Sequence, residues 1–216
     1  MYEKLIKRAN DLLTKRKSPE KALLALENIQ QVIDDYSEEN DEIKDLVAEE
    51  TIDLETTLEI GVKPVGTCQH YVTGELNESL IGYTDPNTKI ITVSSGDVII
   101  ARTIFRLLEN DQGDPAFHIE TIYSSTANPI ISDLIYSLGI EKAKRMGGIP
   151  VYVSTKSQNA EGNNQEPEAS ADIILNRTND RLRSRSIRAE SVYVDSISGP
   201  AYGNYTMSNL LRLSQK

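Results

Sequence analysis

The sequence predicts an α+β fold: a mixed, mostly antiparallel central sheet with one crossover helix, preceded by a small helical unit over residues 1–61. Three observations carry this expectation. Between Lys89 and Thr155 the chain reads strand, turn, strand, strand, helix, strand. A helix joining two strands makes a right-handed crossover and leaves a cleft at the strand ends. Upstream, apolar residues recur at helical spacing and stop near Gly61 and Pro64.

In the N-terminal unit, Leu5, Ile6, Ala9, Leu12 and Leu13 share one face of a helix over 2–16. Ser18-Pro19 supplies an N-cap and a first-turn proline for a second helix carrying Leu23, Leu26, Ile29 and Ile33. A third helix is expected from about Asp41, with Ile43, Leu46, Val47, Leu54 and Leu58 on its apolar side. Charge is uneven here. The first helix is basic, whereas the stretch from Asp34 to Glu59 is acidic, with Lys44 its only base. Those faces are either simply solvated or a docking surface for a basic protein, and the arginine-rich segment later in the chain offers the same chemistry.

Residues 62–216 read as the second domain. KIITVSSGDVIIARTIFRLL is two apolar runs joined at Ser95-Gly96-Asp97, and AFHIETIYSS is a third strand. ISDLIYSLGIEKAKRMGG is a helix with a glycine stop, and IPVYVST a strand alongside, parallel to the one before the helix. SQNAEGNNQEPEAS, residues 157–170, holds no large apolar residue and predicts a mobile loop. VYVDS and NYTMS, around Gly199-Pro200, predict a hairpin that closes the sheet.

Composition narrows the function. A net charge of −10 opposes a general nucleic-acid or anionic-membrane binder. One cysteine excludes an internal disulfide framework and suits a reducing compartment. No apolar run reaches the roughly 18 residues of a membrane span, and the mixed-charge start lacks a signal-peptide core, so a cytoplasmic protein is expected.

Three groups of residues could carry chemistry. Arg102, Ile104 and Arg106 share one face of their strand, and His118, Glu120 and Ile122 share a face of theirs. Were the strands neighbours, two guanidiniums and a His/Glu pair would converge to hold an anion and supply a base. The plain alternative is an Arg102–Glu120 cross-strand ion pair on a solvated face. Cys68, beside Gln69 and His70 in GTCQHYVTGE, is a candidate thiol nucleophile or a small core residue. One cysteine and two histidines make too few ligands for a zinc site. Arg177, Arg181, Arg183, Arg185 and Arg188 form a run suited to phosphates, the one feature that would admit nucleic acid.

The order of elements over about residues 75–210 resembles the Gcn5-related N-acetyltransferase family. IITVSSGDVIIARTIFRLL resembles that family's central hairpin, HIETIYSS its fourth strand, IISDLIYSLGIEKAKRMGG its pyrophosphate helix and IPVYVST its fifth strand. The resemblance implies acyl transfer from acetyl-CoA or another acyl-CoA to an amine, with Glu120 as general base and Tyr193 as acid. It also implies that Ser124, Ser125, Thr126 and Asn128 hold the pyrophosphate, with Arg102 and Arg106 at the nucleotide. The family's turn is glycine-rich with a basic residue, whereas here it reads SSTANPIISDL, where Pro129 removes a donor. A cofactor-free module that docks a basic partner through residues 34–59, and a cysteine hydrolase using Cys68 with His70 or His118, are the alternatives.

Overall fold

The computed structural model describes residues 46–51, 54–64, 71, 74, 80, 82–83, 85–126, 128–155, 157–158, 164–165, 167, 169, 172–184, 191–194, 199–202 and 205–215. The chain divides between Lys44 and Asp45, and the second unit holds every described residue. The helices expected over 2–16 and from Ser18 onward, together with Cys68, Gln69 and His70, lie outside the described residues.

The longest strand, β3 (Val98–Asn110), organises a mixed and mostly antiparallel sheet. It pairs antiparallel with β2 (Thr88–Ser95), β4 (Pro115–Ile119), β5 (Tyr123–Ser124) and β10 (Leu182–Arg183). The β2–β3 hairpin turns at Gly96, whose φ of +56° is a left-handed conformation that costs residues with a Cβ roughly 1–2 kcal/mol. β4 continues through a long helix into β6 (Val151–Val153), which returns parallel to it, with Phe117 beside Val151 and Ile119 beside Val153. The crossover expected from the sequence is therefore present.

Helix α2 (Pro129–Arg145) starts where Asn128 accepts the Ile130 N–H at 3.0 Å and proline occupies the first turn. It ends in a Schellman motif: Gly147 N–H donates to Lys144 O and Gly148 N–H to Ala143 O, both glycines having positive φ. Its buried face, Ile131, Ile135, Tyr136, Gly139, Ile140 and Ala143, packs on Phe105, Phe117, Ile119, Val151 and Val153. Phe105 and Phe117 meet edge to face at 5.3 Å. Gly139 lets the helix lie close, since a Cβ there would stand 2.8 Å from Ile119 Cδ1.

Four expectations differ from the structure. The helix expected from about Asp41 is, where described, a strand β1 (Leu46–Thr51) followed by a short helix α1 (Leu54–Glu59). β1 pairs antiparallel with β2, and its burial alternates so that Leu46 and Ala48 turn to the core while Val47 and Glu49 are exposed. Pairing with the β2 edge satisfies backbone groups that a helix would have satisfied locally, so tertiary context overrides propensity. The polar stretch 157–170 carries two short paired strands, β7 (Ser157–Gln158) and β8 (Asn164–Gln165).

VYVDS, expected to pair with NYTMS, contributes to β11 (Ser191–Val194), which pairs with β12 (Gly199–Tyr202), the expected turn, in a separate two-stranded sheet. NYTMS contributes instead β13 (Thr206–Met207), which pairs with β10. The strand beside β6 is β14 (Leu210–Gln215), with β9 (Ile173–Thr178) beyond it. Finally, the ladder slips by one residue between the Phe105–Ile119 and Arg102–Tyr123 pairs, so Ile122 joins the helix-side core instead of sharing a face with Glu120.

Candidate functional site

The face of the sheet opposite α2 carries a row of polar residues fixed by register alone. Thr88 on β2 pairs with Arg106 on β3, Arg106 with His118 on β4, His118 with Tyr152 on β6, and Tyr152 with Arg212 on β14. Two apolar clusters flank this row. Ile60, Leu80, Tyr83, Ile90 and Ile104 form one, and Leu108, Ala116, Tyr152, Leu182, Val194, Met207 and Leu210 the other. From Thr88 to Tyr152 the row is therefore interior, with Arg106, His118 and Glu120 buried and His118 at 0% exposure, whereas Arg212 at its end is exposed.

Glu120 follows β4 at the ladder slip and is anchored through its backbone, its N–H donating to Ile104 O and its carbonyl accepting from Thr103 Oγ1. Its side chain turns back to Arg106, whose Nε donates to Glu120 Oε1 at 2.6 Å. The same guanidinium lies 3.4 Å from Thr88 Oγ1 and 5.9 Å from the Tyr83 ring centroid. Burial by itself favours the neutral form of Arg106. The electrostatic influence of Tyr205, Glu120 and Tyr83 outweighs that and holds its pKa above the usual value, so it stays cationic. Burial pushes His118 down to about 4, with Arg106 pulling the same way and Glu120 opposing, so the imidazole is neutral near pH 7.

The residues expected to act together are thus partly assembled. Arg106, His118 and Glu120 converge, and the ion pair is Arg106–Glu120, buried, in place of the expected exposed Arg102–Glu120 pair. Arg102 is also buried and on this face, but its Nε donates to Lys63 O at 3.2 Å and its guanidinium stacks 4.3 Å over the Tyr123 ring. Tyr193 sits on β11, opposite Pro200, in the separate hairpin. Cys68 lies outside the described residues, as do Arg185 and Arg188, while Arg177, Arg181 and Arg183 are exposed.

The turn expected to hold pyrophosphate is occupied by its own contacts. Ser124 Oγ donates to Thr126 O and accepts the Thr126 N–H, and Ser125 uses both its N–H and its hydroxyl on Ile100 O. Asn128 caps α2, consuming the Ile130 N–H, while Pro129 has none to give. Nor do the parallel strands splay widely beyond Ile119. Ser154 N–H donates to Ile119 O, the Thr121 and Ser154 hydroxyls lie 3.4 Å apart, and pairing resumes at Tyr123–Gln158 between β5 and β7. Beside Arg106 there is a cavity of about 10 Å³ lined by Asp85, Asn87, Thr88, Ser184 and Tyr205, room for one water.

Sequence reasoning missed Tyr83, Thr88, Tyr152 and Tyr205 as members of this cluster. Thr88 and Tyr152 were accessible in principle, since both fall on the same strand parity as Arg106 and His118 once the strands are aligned. Among the described residues no group of three or more His, Cys, Asp and Glu is arranged to hold a metal, and no helix is long and apolar enough to cross a membrane. Compared with protein-family models, curated proteins and solved structures, the chain matches none of them.

Proposed function

We propose that this chain is a non-catalytic binding module on an acetyltransferase-like sheet, and that it docks a basic, extended protein segment along its acidic edge strand β1. The observation that carries this is the division of β1 itself. Leu46 and Ala48 face the core, whereas Val47 is 54% exposed and Glu49 is exposed, as is Glu55 on α1. The surrounding sequence from Asp34 to Glu59 holds one base, Lys44. A strand edge with alternating apolar and acidic side chains suits a partner strand alternating valine or leucine with lysine or arginine. The residues that would do catalysis are committed elsewhere: Glu120 to Arg106, and the Ser124–Asn128 turn to its own backbone.

A titration with a labelled Lys/Val-alternating peptide tests this. Binding is expected to weaken with rising salt and with charge reversal at Asp45, Glu49 and Asp53, by up to about 1 kcal/mol per charge. Binding indifferent to both removes the proposal.

An acyltransferase remains the second reading, favoured by one observation. The parallel β4–α2–β6 crossover places Glu120 at the interruption where the two strands part and re-pair. In that case Glu120 would have to exchange Arg106 for an acceptor amine, and acyl-CoA would have to enter between Thr121 and Ser154.

A further inference from the structure

The strand proposed as the docking edge is sparsely buried, and outside its ladder to β2 one charge ties it to α2. None of the six residues of β1 is fully buried, and only Leu46 and Ala48 pack on the core. Beyond its ladder to β2, β1 is fastened by Glu50, which lies in register with Ile91 on the helix side of the sheet. Lys142 Nζ, in the last turn of α2, bonds Glu50 Oε2, and Lys89 Nζ on β2 stands 4.0 Å from Glu50 Oε1. The Lys142 and Glu50 side chains are 26% and 28% exposed, sheltered enough for the pair to hold against salt yet open enough for the amine to be reached. A single carboxylate thus joins β1, β2 and α2. A strand with so little burial opens locally at low cost.

We propose that Lys142 is a charge-controlled latch on β1, and that acylation of its Nζ by an acyl thioester is the modification that opens it. In that step the neutral amine attacks the thioester carbonyl carbon. The carbon–nitrogen bond forms as the carbon–sulfur bond breaks, the thiol departs with the amine's proton, and an uncharged amide remains. Glu50 then keeps only the longer contact to Lys89. The consequence for docking rests on β1 being the docking strand, whereas the latch itself does not.

Hydrogen exchange on the full chain, without any partner, tests the latch. In Lys142→Gln, amides of residues 46–51 should exchange about fivefold faster, with β3 and α2 peptides unchanged. Lys142→Arg should match the parent, and Glu50→Gln, which removes the same pair from the other side, should exchange at least as fast as Lys142→Gln. An unchanged 46–51 segment in Lys142→Gln, or acceleration spread equally over β3 and α2, overturns the latch. Exposure to acetyl-CoA at mildly alkaline pH tests the modification: an acetyl mass on the Lys142 peptide with the same faster exchange supports it, and no such mass removes it. Failure of the Lys/Val peptide to bind, with exchange behaving as described, would refute the docking strand and leave the latch standing.

Discussion

Acid should unfold this protein partly through one histidine. His118 is buried between Arg106 and Tyr152 in register, and its pKa falls from an ordinary 6.5 to about 4 in the folded chain. Below 6.5 the unfolded chain takes up a proton that the folded chain refuses until about 4. Stability from this group is therefore complete above 6.5 and lost as pH falls through that window. The gap between the two values corresponds to about 3 kcal/mol, large against a typical stability of about 5–15 kcal/mol. Urea unfolding followed by circular dichroism between about pH 8 and about pH 4 measures it. Carboxylates also titrate in this range, so the comparison is with His118→Gln, whose stability curve should be flatter by about 3 kcal/mol over the same interval. Curves that run parallel for the two proteins would refute the burial of a neutral imidazole in this row.

Two further outcomes follow from packing and charge. Arg106→Met strands Glu120 in the interior and should cost about 3–5 kcal/mol, lowering the melting temperature by roughly 2–4 °C per kcal/mol for a domain of this size. Adding Glu120→Leu should recover most of that loss, and a double variant as unstable as the single one would show that the pair is not isolated. Gly139→Leu should destabilise by about 1–3 kcal/mol or more, because α2 leaves no room above Ile119 and Phe105. Gly139→Ala should be close to neutral, since displacing the Ile119 terminal methyl offsets a helix-propensity gain of about 1 kcal/mol. Thermal melts distinguish the two, and equal effects would contradict the close approach.

The elements whose signals are local were legible in the sequence. The β2–β3 hairpin announced itself through two apolar runs and a glycine turn, and α2 through a helical run that stops at Gly147-Gly148. The parallel return of β6 followed from a helix standing between the two strands as a crossover connection. Strand parity also placed Arg106, His118 and Glu120 on one face before any coordinates. What failed depended on partners distant in sequence. LVAEET reads as part of an acidic helix until the β2 edge is there to pair with it. The strand LLRLSQ at the end of the chain gave no local sign that it, and not the hairpin around Gly199-Pro200, would lie against β6. The single-residue slip after Ile119 redirected Ile122 to the opposite face, and a slip of this kind leaves no trace in alternation alone. The depth at which Arg106 and Glu120 lie was hidden for a similar reason, because the two apolar clusters that cover them draw on residues distant in sequence, from Ile60 to Ile104 in one and from Leu108 to Leu210 in the other.

The most direct test of a committed, cofactor-free interior is a thermal melt of the full chain in millimolar acetyl-CoA. A cofactor at about 100 times its dissociation constant would add about 2.7 kcal/mol, or several degrees in melting temperature. The expected result is no shift, because Ser124, Ser125, the Thr126 N–H and the Ile130 N–H already have partners and the strands re-pair at Tyr123–Gln158. A rise of several degrees, abolished by Ser125→Pro but not by Glu49→Lys, would contradict the proposal and make the transferase reading the better one.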